Sequence, residues 1–179
     1  MPDKLALLAL MAGMSGIAFG QTPDYRKPSP SEWPMVGGDW GNTRFSPLSQ
    51  LNTTNMKTLK GAWMARLNSG FGAGFSQQAT PVIQGGVMYI TTGQQDIFAL
   101  DAKTGAIRWE FRPEADPRTP DDKAKRGVGL GDGMVFGVLT DIRKPVQETG
   151  KVEPVTYLLA LDQKSGKLLW QTRTGRRRS

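Results

Sequence analysis

Cysteine and histidine, on which most nucleophilic and metal-assisted sites are built, are both absent from this chain of 179 residues. That excludes Ser-His-Asp and Cys-His nucleophilic systems and most zinc sites. It also excludes disulfides, a lipid-modified cysteine, and the Cys-x-x-Cys-His needed to attach a c-type haem. Chemistry here must rest on carboxylates, amides, hydroxyls and cations. The glycine-rich run Gly127-Val-Gly-Leu-Gly-Asp-Gly133 has the composition of a phosphate loop. No helical pattern follows it, and a phosphate cradle needs a helix amino terminus behind the glycines. It reads instead as a strand and a turn. Asn52-Thr-Thr54 is a formal glycosylation sequon with no further support.

The elements that would position such groups come from a repeat. Ile97-Phe-Ala-Leu-Asp-Ala-Lys-Thr-Gly-Ala-Ile-Arg-Trp109 recurs as Leu158-Leu-Ala-Leu-Asp-Gln-Lys-Ser-Gly-Lys-Leu-Leu-Trp170, with its Asp and Trp positions 61 apart in both cases. The apolar run alternates as a strand does. Asp101 or Asp162 accepts hydrogen bonds from turn amides, and Gly105 or Gly166 takes the positive φ of a hairpin loop. Trp109 or Trp170 then has the area to fill a seam between sheets. Upstream, Gly86 to Thr92 and Gly133 to Thr140 are strands introduced by glycine turns, preceded by Thr80-Pro-Val-Ile83 and Arg126 to Leu130. Each unit therefore has four antiparallel strands, the make-up of a β-propeller blade. The spacing from Gly86 to Gly133 falls in the roughly 40–50 residues of propeller repeats. A polar insertion over residues 141–155 lengthens the second unit. The expected fold is all-β: an incomplete β-propeller with about two four-stranded blades.

With these motifs in place, the chain resembles the pyrroloquinoline-quinone (PQQ) dependent alcohol dehydrogenases, a family of eight-bladed propellers. The segment Trp33-Pro-Met-Val-Gly-Gly-Asp-Trp-Gly-Asn-Thr-Arg-Phe-Ser-Pro-Leu-Ser-Gln-Leu-Asn52, followed by Asn55 to Trp63, is similar to that family's amino-terminal signature. The resemblance extends over about residues 31–175. It implies a quinoprotein oxidoreductase that passes electrons from an alcohol to PQQ, and then to a separate acceptor. It implies PQQ as cofactor and Ca²⁺ in the full-length family.

Two positions carry over from the family as cofactor-binding residues. Ser76-Gln-Gln-Ala-Thr-Pro81 is similar to the family's Gln-Glu-Ala-Thr-Pro, whose Glu hydrogen-bonds PQQ; Gln78 stands at that place. An amide donates and accepts but brings no charge. Lys125-Arg-Gly-Val128 is similar to Asn-Arg-Gly-Val/Leu, whose Arg pairs with a PQQ carboxylate, which points to Arg126. Asp121 to Lys125 replaces the adjacent cysteine pair of many alcohol-oxidising members. The family's catalytic Asp, its further Ca²⁺ ligands and the Trp that stacks on PQQ come from later blades, so no catalytic or metal residue is assigned.

Leu5 to Phe19 is an apolar run ending Ala18-Phe-Gly20, which reads as a signal peptide over residues 1–20 and export to a periplasm. It is too short to span a bilayer. Residues 21–34 are a proline-rich connector, residues 35–175 the partial propeller, and residues 176–179 a basic tail. Four arginines in the last seven residues supply much of the net charge of +7. No aromatic residues interleave with them, so nucleic acid is not an expected partner. The chain is expected to be a propeller fragment, inactive alone. The alternatives are a non-enzymatic propeller scaffold of the cell envelope and a degenerate gene fragment.

Overall fold

The computed structural model describes residues 24–69, 78–114, 126–141 and 155–174. The expected signal peptide, most of the polar insertion, Asp121 to Lys125 and the basic tail lie outside the described residues. Eight strands form two antiparallel meanders. The first holds β1 (Val82–Gln84), β2 (Val87–Thr91), β3 (Ile97–Asp101) and β4 (Ile107–Phe111), hydrogen-bonded in that order. The second holds β5 (Gly129–Gly131), β6 (Met134–Asp141), β7 (Val155–Asp162) and β8 (Leu168–Thr174), again in sequence order. The strands and turns read from the repeat are thus all present.

Local chemistry explains the meanders. The β1–β2 and β5–β6 connections are two-residue turns, Gly85-Gly86 and Asp132-Gly133, with positive φ at both residues. That is the turn whose twist matches the flanking strands. At the β3–β4 turn, Asp101 Oδ1 accepts bonds from the Lys103 and Thr104 amides and from Thr104 Oγ1. At the β7–β8 turn, Asp162 Oδ1 takes the Ser165 amide and Oγ. In each, the Gly amide returns to the Asp carbonyl at 2.8 Å. A register shift then follows at Ala99/Leu100 and again at Ala160/Leu161, so both units share even their irregularity.

The two sheets face each other across one core. Val82, Tyr89, Ile97 and Ala99 of the first meet Val128, Val135, Leu139, Leu159 and Leu161 of the second. Gly137 leaves room for Ile97; a Cβ there would stand 2.7 Å from Ile97 Cδ1. Each fully buried aliphatic side chain contributes about 1.5–3 kcal/mol.

The seam is closed by tryptophan. Trp109 lies across Gly166 of the next sheet, and its Nε1 donates to the Gln163 carbonyl at 3.1 Å. Trp63 does the same one step earlier, lying across Gly105 and donating to the Ala102 carbonyl at 3.2 Å. The segment bearing Trp63 therefore stands to the first sheet as β4 stands to the second. Tyr89 and Trp109 pair at 5.9 Å and 46°, and Phe136 and Trp170 at 6.0 Å and 49°. The first pair is covered by the second sheet; the second pair faces outward, with Trp170 41% exposed.

Within the proline-rich stretch, the structure ties several residues to the first sheet. Trp33 bridges Ile83 in both directions, Glu32 accepts the Gly85 amide, and the Gln84 side chain donates to the Tyr25 hydroxyl. Among the described residues, no helix is long and apolar enough to cross a membrane.

Two predictions follow from the turns. Gly133 and Gly166 share a φ of +71°, but a Cβ at Gly133 meets nothing while one at Gly166 falls 2.6 Å from the Trp109 ring. Gly133→Ala is expected to cost only the left-handed strain, about 1–2 kcal/mol. Gly166→Ala should cost clearly more and redshift tryptophan emission; urea unfolding of both variants measures the difference. The second concerns acid. The Arg108 guanidinium, with the Thr104 bonds, holds the Asp101 carboxyl down at about 2, and the Ser165 bonds lower that of Asp162. A depressed carboxylate stabilises the fold fully above the unfolded value near 4 and loses that contribution as pH falls through its folded value. Asp101→Asn should therefore be less stable than wild type at pH 7, with the gap in urea midpoint closing between about pH 4 and 2.

Candidate functional site at the strand-entry end of the sheets

Antiparallel order sends the Gly-bearing turns to one end of the sheets. The opposite end gathers the chain entering β1 and β5, the β2–β3 loop, and the ends of β4 and β6. Gln78 precedes β1 by four residues and Arg126 precedes β5 by three, so both lie at the entry to an innermost strand. The structure brings these two segments together. The Thr80 amide donates to the Arg126 carbonyl, at a long 3.4 Å. Gly127 passes so close that a Cβ would stand 3.1 Å from the Thr80 carbonyl oxygen. Both side chains, Gln78 and Arg126, are exposed.

Around this pair runs a polar frame that the sequence reading did not single out. The Gln95 amide holds Thr140 of the second sheet at two points: its Nε2 donates to the Thr140 carbonyl at 2.9 Å, and its Oε1 accepts the Thr140 amide at 2.6 Å. Asp96 accepts from Ser69 Oγ at 2.6 Å and from Arg112 at 3.1 Å, while Ser69 also shares a hydrogen bond with Thr92. Arg112 donates further to the carbonyls of Leu67 and Asn68 and to Glu110, and its guanidinium lies 5.3 Å from the Phe98 ring centroid. Its five-donor fork is nearly consumed. The bond to Glu110, with the nearby carboxylate charges, raises the Arg112 pKa further above its ordinary value. Arg112 is thus a structural cation, whereas Arg126 makes no side-chain bond among the described residues and presents its fork outward. Thr92-Gly-Gln-Gln-Asp96 reads in sequence only as a loop between strands; no local signal marks Gln95 as a bridge, because its partner is main chain.

The chemistry on offer is anion recognition. An exposed guanidinium and an exposed carboxamide, carried on two segments that meet, suit a planar ligand bearing carboxylates. Among the described residues, no group of three or more Asp, Glu, His or Cys side chains is placed to hold a metal ion.

Four-stranded meanders locked edge to face by a tryptophan over the next unit's turn define the blades of a β-propeller, here two blades that do not close a ring. The family described as PQQ: glucose/ethanol/alcohol dehydrogenase, β-propeller domain, matches residues 33–171, and the chain belongs to it. The dehydrogenase subunit of the quinone alcohol dehydrogenase of Gluconobacter oxydans is 36% identical over 149 residues, covering 81% of this chain and 17% of that protein. The crystal structure of the quinohemoprotein alcohol dehydrogenase from Comamonas testosteroni superposes with a TM-score of 0.67 at 33% identity, covering 83% of this chain and 20% of that one. A europium-containing methanol dehydrogenase gives 0.66 at 26% identity, covering 85% of this chain and 24% of that one. The chain spans about a fifth of the length of these relatives.

Proposed function

We propose that this chain forms the first blades of a periplasmic PQQ-dependent alcohol dehydrogenase-like oxidoreductase, exported by residues 1–20, with residues 35–175 as its propeller portion. The observation that supports this reading is the contact of Thr80 with the Arg126–Gly127 backbone, which joins the segments carrying Gln78 and Arg126, the two positions matching the family's cofactor contacts. In this reading the Arg126 fork grips a carboxylate of PQQ and the Gln78 amide hydrogen-bonds the quinone edge without adding charge. PQQ, when bound, supplies the quinone that accepts electrons from an alcohol. The backbone bond between Thr80 and Arg126 joins the two segments that carry these residues. The resemblance places the family's catalytic base and further metal ligands on later blades, so these blades are expected to bind without turning over. The electron acceptor is proposed to be a separate protein; one relative, from Thauera butanivorans, is named 1-butanol dehydrogenase (cytochrome c). The scaffold reading has no observation of its own in its favour.

Titration of the full chain with PQQ, followed by quinone absorbance and tryptophan quenching, tests the proposal. Saturable binding is expected, weakened about 10–100-fold in Arg126→Ala, the worth of a lost charge-assisted bond. Arg126→Lys should fall between, keeping charge but losing the fork. Absence of saturable binding by folded chain, or equal binding by Arg126→Ala, overturns the reading.

A further inference from the structure

The loop between β2 and β3, residues 92–96, is the point where three separate segments meet at the site end. Thr92 and Asp96 hold Ser69, Asp96 holds Arg112, and Gln95 reaches into the second sheet. The last contact has an unusual form. Strand β7 pairs with β6 along its whole length, so the Thr140 amide and carbonyl that meet Gln95 point to the opposite edge. That edge is paired by β5 only over residues 134–136. Beyond it, the Gln95 carboxamide takes the place of a missing peptide group, donating and accepting as a neighbouring strand would. Both Gln95 and Thr140 are buried.

Gln95 makes this contact from a φ of +72°. Side chains other than Gly, Asn and Asp seldom occupy that region, and such a residue persists only where its surroundings over-determine it. Here they do. The loop closes with Thr92 donating to the Asp96 carbonyl at 2.9 Å and Gln95 donating to the Thr92 carbonyl at 3.0 Å, and the side chain is then fixed by both of its polar atoms.

The two ends of the blade pair differ in how they are tied. At the turn end, Trp109 and Tyr89 both donate to the Gln163 carbonyl, and the Gln163 side chain donates to Gln84. At the site end, the ties between sheets include the long Thr80–Arg126 bond and the short, buried Gln95 bridge. We infer that Gln95 is a positioning residue: its amide sets the separation of the two sheets at the end that carries Gln78 and Arg126. This rests on the reading of those two residues as PQQ contacts. Gln95 itself touches no ligand in the proposal; it acts through Thr140 and the strand ends.

The test uses Gln95→Asn. Asparagine keeps the amide and accepts the left-handed backbone more readily than glutamine, but it falls one methylene short of Thr140. Because the chain has no cysteine, nitroxide pairs can be placed cleanly at Gln78→Cys with Arg126→Cys and at Lys103→Cys with Lys164→Cys. In Gln95→Asn, the dipolar coupling of the site-end pair should broaden while the turn-end pair keeps its wild-type value. In unlabelled protein the urea midpoint should fall, because the buried Thr140 amide and carbonyl lose their partners, and PQQ affinity should fall about tenfold, as expected for a contact pair displaced by a fraction of an ångström. Gln95→Leu, which deletes both bonds at similar volume, should move the site-end pair in the same direction. An unchanged site-end pair, or equal broadening at both ends, overturns the inference. If wild-type chain fails to bind PQQ, the cofactor reading falls on that result alone, and the nitroxide comparison still decides whether Gln95 sets the spacing.

Discussion

An indole ring can lie flat on the backbone of a neighbouring sheet only where that backbone carries no Cβ, and Gly105 and Gly166 meet this condition for Trp63 and Trp109. The rest of the architecture follows from that contact. It brings the indole N–H to a carbonyl, sets the distance between adjacent sheets, and leaves the space that Tyr89, Ile97 and Leu159 fill. The glycine needs its positive φ to end the turn, and the turn needs Asp101 or Asp162 to satisfy its amides. Turn, strand and seam are therefore one unit of cause, repeated. Remove the ring or fill the glycine, and the hydrophobic interface loses the stop that gives it a fixed angle.

A seam fixed at one end leaves the other to be defined separately. At the strand-entry end no indole-to-carbonyl bond joins the sheets among the described residues. Hydrogen bonds from side chains to main chain do the work: Gln95 to Thr140, and Arg112 to Leu67 and Asn68. Directional polar contacts set position more finely than apolar packing, at the cost of needing every partner satisfied. Among the described residues, no buried side-chain nitrogen or oxygen lacks a partner. That division suits the proposed arrangement, with stability placed in the turns and ligand recognition at the opposite strand ends.

Much of this was legible in the residues. Asp-x-Lys-Thr/Ser-Gly specifies its turn by contacts within five positions, so each copy declares itself locally, and the strands on either side follow by alternation. The tryptophans also announced a seam. What could not be read was which main-chain groups the long-range contacts use. Gln95 and Thr140 are 45 positions apart, and a backbone carbonyl has no sequence signature. Nor did spacing alone bring the segment of Gln78 to that of Arg126; the resemblance named both residues, and the Thr80–Arg126 bond joins their segments. The proline-rich stretch read as a bare connector, yet Tyr25, Glu32 and Trp33 dock on β1 and its turn because a short innermost strand leaves its other edge open to them.

The acceptor for each docked indole is a main-chain oxygen: that of Ala102 in one case and of Gln163 in the other. Alanine and glutamine share nothing there but their peptide group. The joint thus imposes no side-chain identity at the acceptor position. Neighbouring units are free to drift apart in sequence while still fitting, and a duplicated unit meets its neighbour without co-adapting that residue. What the joint and its turn require is a sparse lattice of Asp, Gly and Trp; the intervening positions can hold the residues that distinguish one copy from the next.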